Sequence, residues 1–213
     1  MRQVPKIHGI FPEPIYQSKL GRELTKKELS IIRKFKIKTR YVQFKEAVQN
    51  NSPQSSDNYV LENKELKNLK EDLNKIVIDY FEKVVCTNSS IFPHITQSWF
   101  NYSKPGQGLH THSHPNSFVS GVFYPAADKK VDQIKFFKGG YERIKLSYEN
   151  YNTFNSSSWF FPVETGSVLL FPSHLVHGVD GKQGNNLRIS LAFNVFFKGY
   201  IGSKDDLTEL VLE

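Results

Sequence analysis

The second half of the chain reads as short strands cut by turns, and this limits its fold more than anything else in it. After Cys86, β-rich runs at 97–102, 117–124, 133–137, 158–161, 167–171 and 188–197 alternate with clusters of Gly, Pro, Asn and Ser. Such spacing predicts a sandwich or a barrel. The last run is the most regular. In Arg188-Ile-Ser-Leu-Ala-Phe-Asn-Val-Phe196, Ile189, Leu191, Phe193 and Val195 form one face, and Arg188, Ser190, Ala192 and Asn194 form the other. The first face is an ordinary core layer. The second is small and polar, as expected of a wall facing an interior.

The first half reads differently. Residues 7–16 are extended, because each proline disfavours helix in the residue before it. Thr25 and Glu28 fit a capping box that opens a helix over 26–35. Residues 36–45 alternate basic and apolar, which predicts a strand, and 49–58 form a polar loop. Leu66, Leu69, Leu73, Ile76, Tyr80 and Val84 recur at steps of three and four, with Asn63 able to cap, so a helix is expected over 64–85. No repeat period is evident.

Composition bounds the function classes. A 213-residue chain that is 38% hydrophobic and 14% aromatic is neither disordered nor too short for a core. One cysteine, Cys86, excludes an internal disulfide framework and a multi-cysteine zinc site. No run of 18 apolar residues occurs, and the first residues lack a signal-peptide pattern, so a reducing cytoplasm and no membrane are expected. The net charge of +7 lies wholly in residues 1–50, which hold 12 basic and 4 acidic side chains. Arg33, Lys34, Lys36, Lys38 and Arg40 interleave with Phe35, Ile37, Tyr41 and Phe44. A solvated, charged edge is favoured over a nucleic-acid surface.

Three of the seven histidines fall within five residues: His110, His112 and His114. In an extended segment, residues two apart face one side, so adjacent members of this series offer two imidazoles to one ion. A third must come from elsewhere, and His177, after the apolar run that ends at Pro172, is the candidate. A lone His-x-His is weakly discriminating, because histidines also serve surfaces and core hydrogen bonds. Arg188 adds to it. On an inward face, a guanidinium requires an anion, and its planar fork suits a carboxylate. The plain alternatives are an internal Arg–Asp or Arg–Glu bridge, or an exposed Arg188.

Together, Trp99-Phe-Asn-Tyr102, Gly108-Leu-His-Thr-His-Ser-His-Pro-Asn-Ser-Phe-Val-Ser-Gly-Val-Phe-Tyr124, Glu164-Thr-Gly-Ser-Val-Leu-Leu-Phe-Pro-Ser-His-Leu-Val-His177 and Arg188-Ile-Ser190 resemble a family of 2-oxoglutarate/Fe(II)-dependent oxygenases, found in marine bacteria and their phages. The resemblance implies a mainly β chain: a double-stranded β-helix, or jelly-roll, cupin-like barrel, with N-terminal helices packed outside. It implies one domain over 1–213, with a strand and helices in 1–90, the β core in 91–200 and a tail in 201–213. Fe(II) would lie between the sheets on His112, His114 and His177. The cosubstrates would be 2-oxoglutarate and O2. Arg188 and Ser190 would hold the far carboxylate of 2-oxoglutarate, with Asn101 and Tyr102 as further contacts. His110, Asn116 and Asn194 would stand around the metal as outer groups.

One departure matters. Most of the superfamily has Asp or Glu where this chain has His114, so either three histidines bind, one negative charge short of the usual triad, or only one of the pair binds with His177 and water. The first reading is preferred, and metals other than iron are then admissible. Phe118, Phe123 and Trp159 are expected as apolar walls, and no acid–base residue is required. The substrate and the oligomeric state are not legible. A cupin-like metal dioxygenase or isomerase without 2-oxoglutarate, and a non-enzymatic jelly-roll module, are the alternatives. The host cell would be a bacterium or one infected by phage.

Overall fold

A computed structural model of the chain describes residues 5–35, 37–38, 52–140, 144 and 146–213. The strands follow the chain as β1 (Tyr16–Lys19), β2 (Ile37–Lys38), β3 (Gln54–Ser55), β4 (Ile91–Ser103), β5 (Leu109–His112), β6 (Val119–Ala126), β7 (Gln133–Phe137), β8 (Ser158–Pro162), β9 (Ser167–Pro172), β10 (His177–Val179), β11 (Arg188–Ile201) and β12 (Leu210–Leu212). The helices are α1 (Lys26–Lys34) and α2 (Lys67–Tyr80). A 3-10 turn, Lys64–Leu66, leads into α2, and a π turn, Phe81–Val85, ends it.

The larger sheet has eight strands in the order β1-β9-β6-β11-β4-β3-β2, with β12 beside β11. The smaller has four, β5-β10-β7-β8. All ladders in both are antiparallel. Among the described residues no strand pairs from one sheet to the other, so the expected jelly roll is present as two facing sheets and not as a closed barrel.

The period-2 alternation of the long strands builds two separate cores. Odd-numbered Ile189, Leu191, Phe193 and Val195 of β11, with Val119 and Phe123 of β6 and Val168 and Leu170 of β9, face the helices. There they meet Ile32 of α1 and Leu69, Leu73, Val77 and Tyr80 of α2. Each leucine so buried contributes about 1.5–3 kcal/mol relative to exposure. The other face of β6 and β9, through Val122, Tyr124, Leu169 and Phe171, packs on Ile134 and Phe136 of β7. The Phe136 and Phe171 rings meet edge to face at 4.9 Å.

The helix starts follow the expected chemistry. Thr25 Oγ1 accepts from the Glu28 N–H at 3.1 Å, and Glu28 Oε2 accepts from the Thr25 N–H at 2.8 Å. The Asn63 side chain accepts from the Glu65 N–H at 2.9 Å. The expected loop at 49–58 contains β3, whose Gln54 pairs with Asn101 of β4. Of the strand expected over 36–45, Ile37–Lys38 is present as β2. Residues 36 and 39–45, with Lys36 and Arg40 of the basic cluster, lie outside the described residues. No described helix is long and apolar enough to cross a membrane.

Candidate active site

β5 and β10 are neighbours in the smaller sheet, and their ladder sets His112 opposite His177. His114 follows β5 by two residues, and its N–H donates to the Ser173 carbonyl at 2.9 Å, which ties this stretch to the end of β9. Ring centroids lie 4.5 Å apart for His112 and His177, 5.0 Å for His112 and His114, and 5.1 Å for His114 and His177. One nitrogen from each ring lies within 4.8 Å of the others.

Hydrogen bonding fixes which nitrogen each ring offers. His112 Nδ1 bonds the His110 carbonyl at 2.7 Å, and His177 Nδ1 bonds the Leu175 carbonyl at 2.9 Å. A carbonyl can only accept, so both Nδ1 atoms carry the proton and Nε2 keeps its lone pair. His114 Nδ1 donates to Asn194 Oδ1 at 2.6 Å, with the same result. Burial, foremost, pushes the His177 pKa down to about 4, against the Leu175 carbonyl bond and with help from the two neighbouring imidazoles. Burial also lowers His114, opposed by the Asn194 bond. These rings are therefore neutral at neutral pH, as metal ligands must be. A metal–imidazole bond of about 2.1 Å leaves two ligand atoms at most about 4.2 Å apart, so the three rings need only small movements to share one ion. The donor set fits a first-row divalent metal, Fe(II) included.

The site opens on a cavity of about 970 Å³ between the sheets. Val122, Ile134, Phe171 and Ala192 give it apolar walls. Asn101, Ser190 and Tyr124 line it as well. Asn101 Oδ1 accepts from Gln54 at 3.0 Å, and its amide reaches Ser190 Oγ at 3.5 Å. Arg188 occupies the next inward position of β11 beyond Ser190. It is buried, donates to Ser103 Oγ at 2.8 Å, and stands 3.8 Å from Asp132. Burial lowers its pKa, while Tyr124 and Asp132 oppose the fall. Arg188 is not among the residues that line the cavity; it lies just behind Ser190.

Several expected positions differ. Tyr102, expected near the cosubstrate, faces the helices, and its hydroxyl donates to the Ile32 carbonyl. Alternation along β4 sends Asn101 inward and Tyr102 outward. His110 supports the site through its carbonyl, while its ring is exposed. Asn116 lies at the cavity rim in a left-handed conformation, φ 56°, and it is Asn194 that touches His114. Phe123 belongs to the helix-side core, and Phe118 and Trp159 are exposed, so none of the three is a cavity wall. Arg188 does make the internal bridge that was its plain alternative, but a loose one shared with Lys182. Sequence reasoning missed Tyr124, although its alternation with Val122 on β6 marks it as inward. Burial holds the Tyr124 phenol well above its ordinary pKa, so it remains a donor.

No curated protein sequence matches the chain. Residues 97–194 match the sequence model of the family described as Putative 2OG-Fe(II) oxygenase. This stretch, somewhat under half of the chain, is similar to that family. It runs from the inner part of β4 to Asn194 of β11 and so contains all three histidines, Arg188 and Ser190. Solved oxygenases share the fold. HygX from Streptomyces hygroscopicus, with nickel, 2-oxoglutarate and hygromycin B bound, is 12% identical, with 86% of this chain and 82% of that one covered and a TM-score of 0.57. The α-ketoglutarate-dependent carbocyclase SnoK from nogalamycin biosynthesis is 11% identical, with 91% and 84% covered and a TM-score of 0.57. A Pseudomonas putida prolyl-4-hydroxylase is 12% identical, with 85% and 92% covered and a TM-score of 0.53. At such identities the likeness is one of fold.

Proposed function

We propose that the chain is a 2-oxoglutarate- and Fe(II)-dependent dioxygenase that hydroxylates a C–H bond. One 2-oxoglutarate, one O2 and one substrate C–H would yield succinate, CO2 and an alcohol. The observation that carries the reading is the convergence of three Nε2-presenting imidazoles on a cavity that has a buried guanidinium behind its wall. Bound together, the metal and 2-oxoglutarate would supply the oxidising chemistry.

The chain's own residues do the rest. His112, His114 and His177 would hold the metal. Asn194 would keep the His114 ring in its ligating tautomer, as outer partners of metal-bound histidines do. Ser190, Asn101 and Tyr124 would orient the cosubstrate, and Arg188 would neutralise its far carboxylate. Val122, Ile134, Phe171 and Ala192 would exclude water from the reacting atoms. Gln97, Trp99 and His94 line the same cavity and are available to a substrate. No residue is required as a general base.

A second reading, a metal dioxygenase that does not use 2-oxoglutarate, draws support from the Arg188–Asp132 bridge. One experiment separates the two. Protein purified anaerobically and loaded with Fe(II) is assayed for 2-oxoglutarate binding, for succinate and for O2 uptake, as wild type and as Arg188→Ala. The first reading expects Fe(II)-dependent binding of 2-oxoglutarate that R188A weakens severely. Wild-type protein that binds Fe(II) but not 2-oxoglutarate overturns it.

A further inference from the structure

Behind the cavity wall Arg188 belongs to a buried set of three charges, and the reaction as proposed makes no use of the other two. Asp132 stands between two cations. Its Oδ1 is 3.6 Å from Lys182 Nζ and 3.8 Å from the Arg188 guanidinium. The side chains of Lys182 and Asp132 are 0% exposed, and that of Arg188 is 3% exposed. Asp132 Oδ2 accepts from the Asp128 N–H and from the Asn186 amide, each at 2.9 Å. Oδ1 makes no hydrogen bond, so it serves both cations by charge alone. Lys182 Nζ donates to Asn186 Oδ1 and to the Gln183 carbonyl, at 2.6 and 2.8 Å. Its backbone is pinned to the Lys104–Gly108 turn through Gln107 and Gly106.

Two cations share one anion, so the cluster holds a surplus of one positive charge. Among the described residues no other acidic side chain pairs with either cation. A surplus charge away from water is costly unless something answers it. Of the two cations, only Arg188 adjoins the cavity, through Ser190 and Tyr124. If Lys182 were neutral, Asp132 would belong to Arg188 alone, and the guanidinium would have no net charge left for a ligand.

We infer that Lys182 and Asp132 are positioning residues: they set the net charge of this buried trio at plus one, and so make Arg188 available to the distal carboxylate of 2-oxoglutarate. The inference rests on the dioxygenase reading. It concerns side chains that touch neither cosubstrate nor metal, and it makes affinity follow the number of buried charges.

The test is binding, not turnover. 2-Oxoglutarate is titrated calorimetrically into the Mn(II)-loaded protein. Glutarate, which has both carboxylates but no keto group to chelate a metal, is titrated into the metal-free protein and reports the distal subsite alone. Four variants are compared with wild type: Lys182→Met, Asp132→Asn, the double variant and Lys182→Arg. K182M is expected to weaken both ligands by about tenfold or more, since one unit charge a few ångströms behind the site is removed. D132N/K182M restores a surplus of one and returns affinity towards wild type. D132N alone binds more tightly than wild type, and K182R binds as wild type does.

A Lys182 that only braces its loop gives a different result. The double variant then binds no better than K182M, and this overturns the inference. Wild-type affinity in K182M overturns it too. Should K182M fail to fold, the comparison of D132N with wild type decides, and weaker binding in D132N refutes the charge argument. If wild-type protein binds neither ligand, the dioxygenase reading falls and takes this inference with it. If wild type binds and only the variant order fails, the dioxygenase reading stands.

Discussion

Replacing Asn194 by alanine removes the acceptor of the His114 Nδ1 proton without altering any of the three histidines. The bond is 2.6 Å long, and Asn194 is 9% exposed. With no acceptor, the N–H either stays unpaired, which costs about 1–3 kcal/mol, or the proton moves to Nε2 and removes the ligand. Losing such an outer partner typically weakens metal binding by about 10–100-fold, equivalent to about 1.4–2.7 kcal/mol. The two figures agree, so N194A is expected to bind Fe(II) or Co(II) about 10–100-fold more weakly than wild type. Asn194→Asp keeps an acceptor in place and retains the affinity. Anaerobic titration against a chromophoric chelator measures both, and the visible spectrum of the Co(II) protein reports whether the ligand set has changed. N194A affinity within about twofold of wild type would refute the reasoning. If His114→Ala also binds like wild type, the metal rests on His112 and His177 alone.

Three further outcomes follow from the structure. The His177 pKa falls from 6.5 to about 4 on folding, so the folded state takes up that proton less readily than the unfolded one. Metal-free protein should thus lose stability as pH falls from 6.5 towards 4, by about 3 kcal/mol, and urea melts of wild type and His177→Gln would show the slope flattening in the variant. Glu28 is buried, which would raise its pKa, but bonds from Arg22 at 2.7 and 2.9 Å and from Thr25 prevail and hold it below the ordinary carboxylate value. Its contribution should persist above that value and vanish as pH falls through the lowered one, and Glu28→Gln should cost about 1–3 kcal/mol at neutral pH in a denaturant titration. At Gly121, an added Cβ would stand 2.1 Å from the fully buried Phe193 ring, so Gly121→Ala should destabilise by about 1–3 kcal/mol, seen as a lower Tm.

Much of the fold is local chemistry and was legible as such. The capping box at Thr25 and Glu28 is a contact over three residues, and α1 begins where it says. The leucine spacing of α2 and the alternation of β11 are set by backbone geometry, so their buried faces followed from the sequence. The short strands were harder. β10 is three residues long and β3 is two, too short to show a period, and pairing alone defines them.

Sequence by itself determined that three histidines and a strand arginine exist at spacings compatible with one site, because side-chain direction along an extended chain repeats every two residues. It could not choose among the readings of those residues. Only the tertiary structure decided that His112 lies opposite His177, since that rests on two strands 65 positions apart becoming neighbours. It decided likewise that Asn194 answers His114, and that Asp132 and Lys182 meet behind Arg188. Charges and lone pairs act over a few ångströms, and at that range the partners of a residue are fixed by packing and not by its place in the chain.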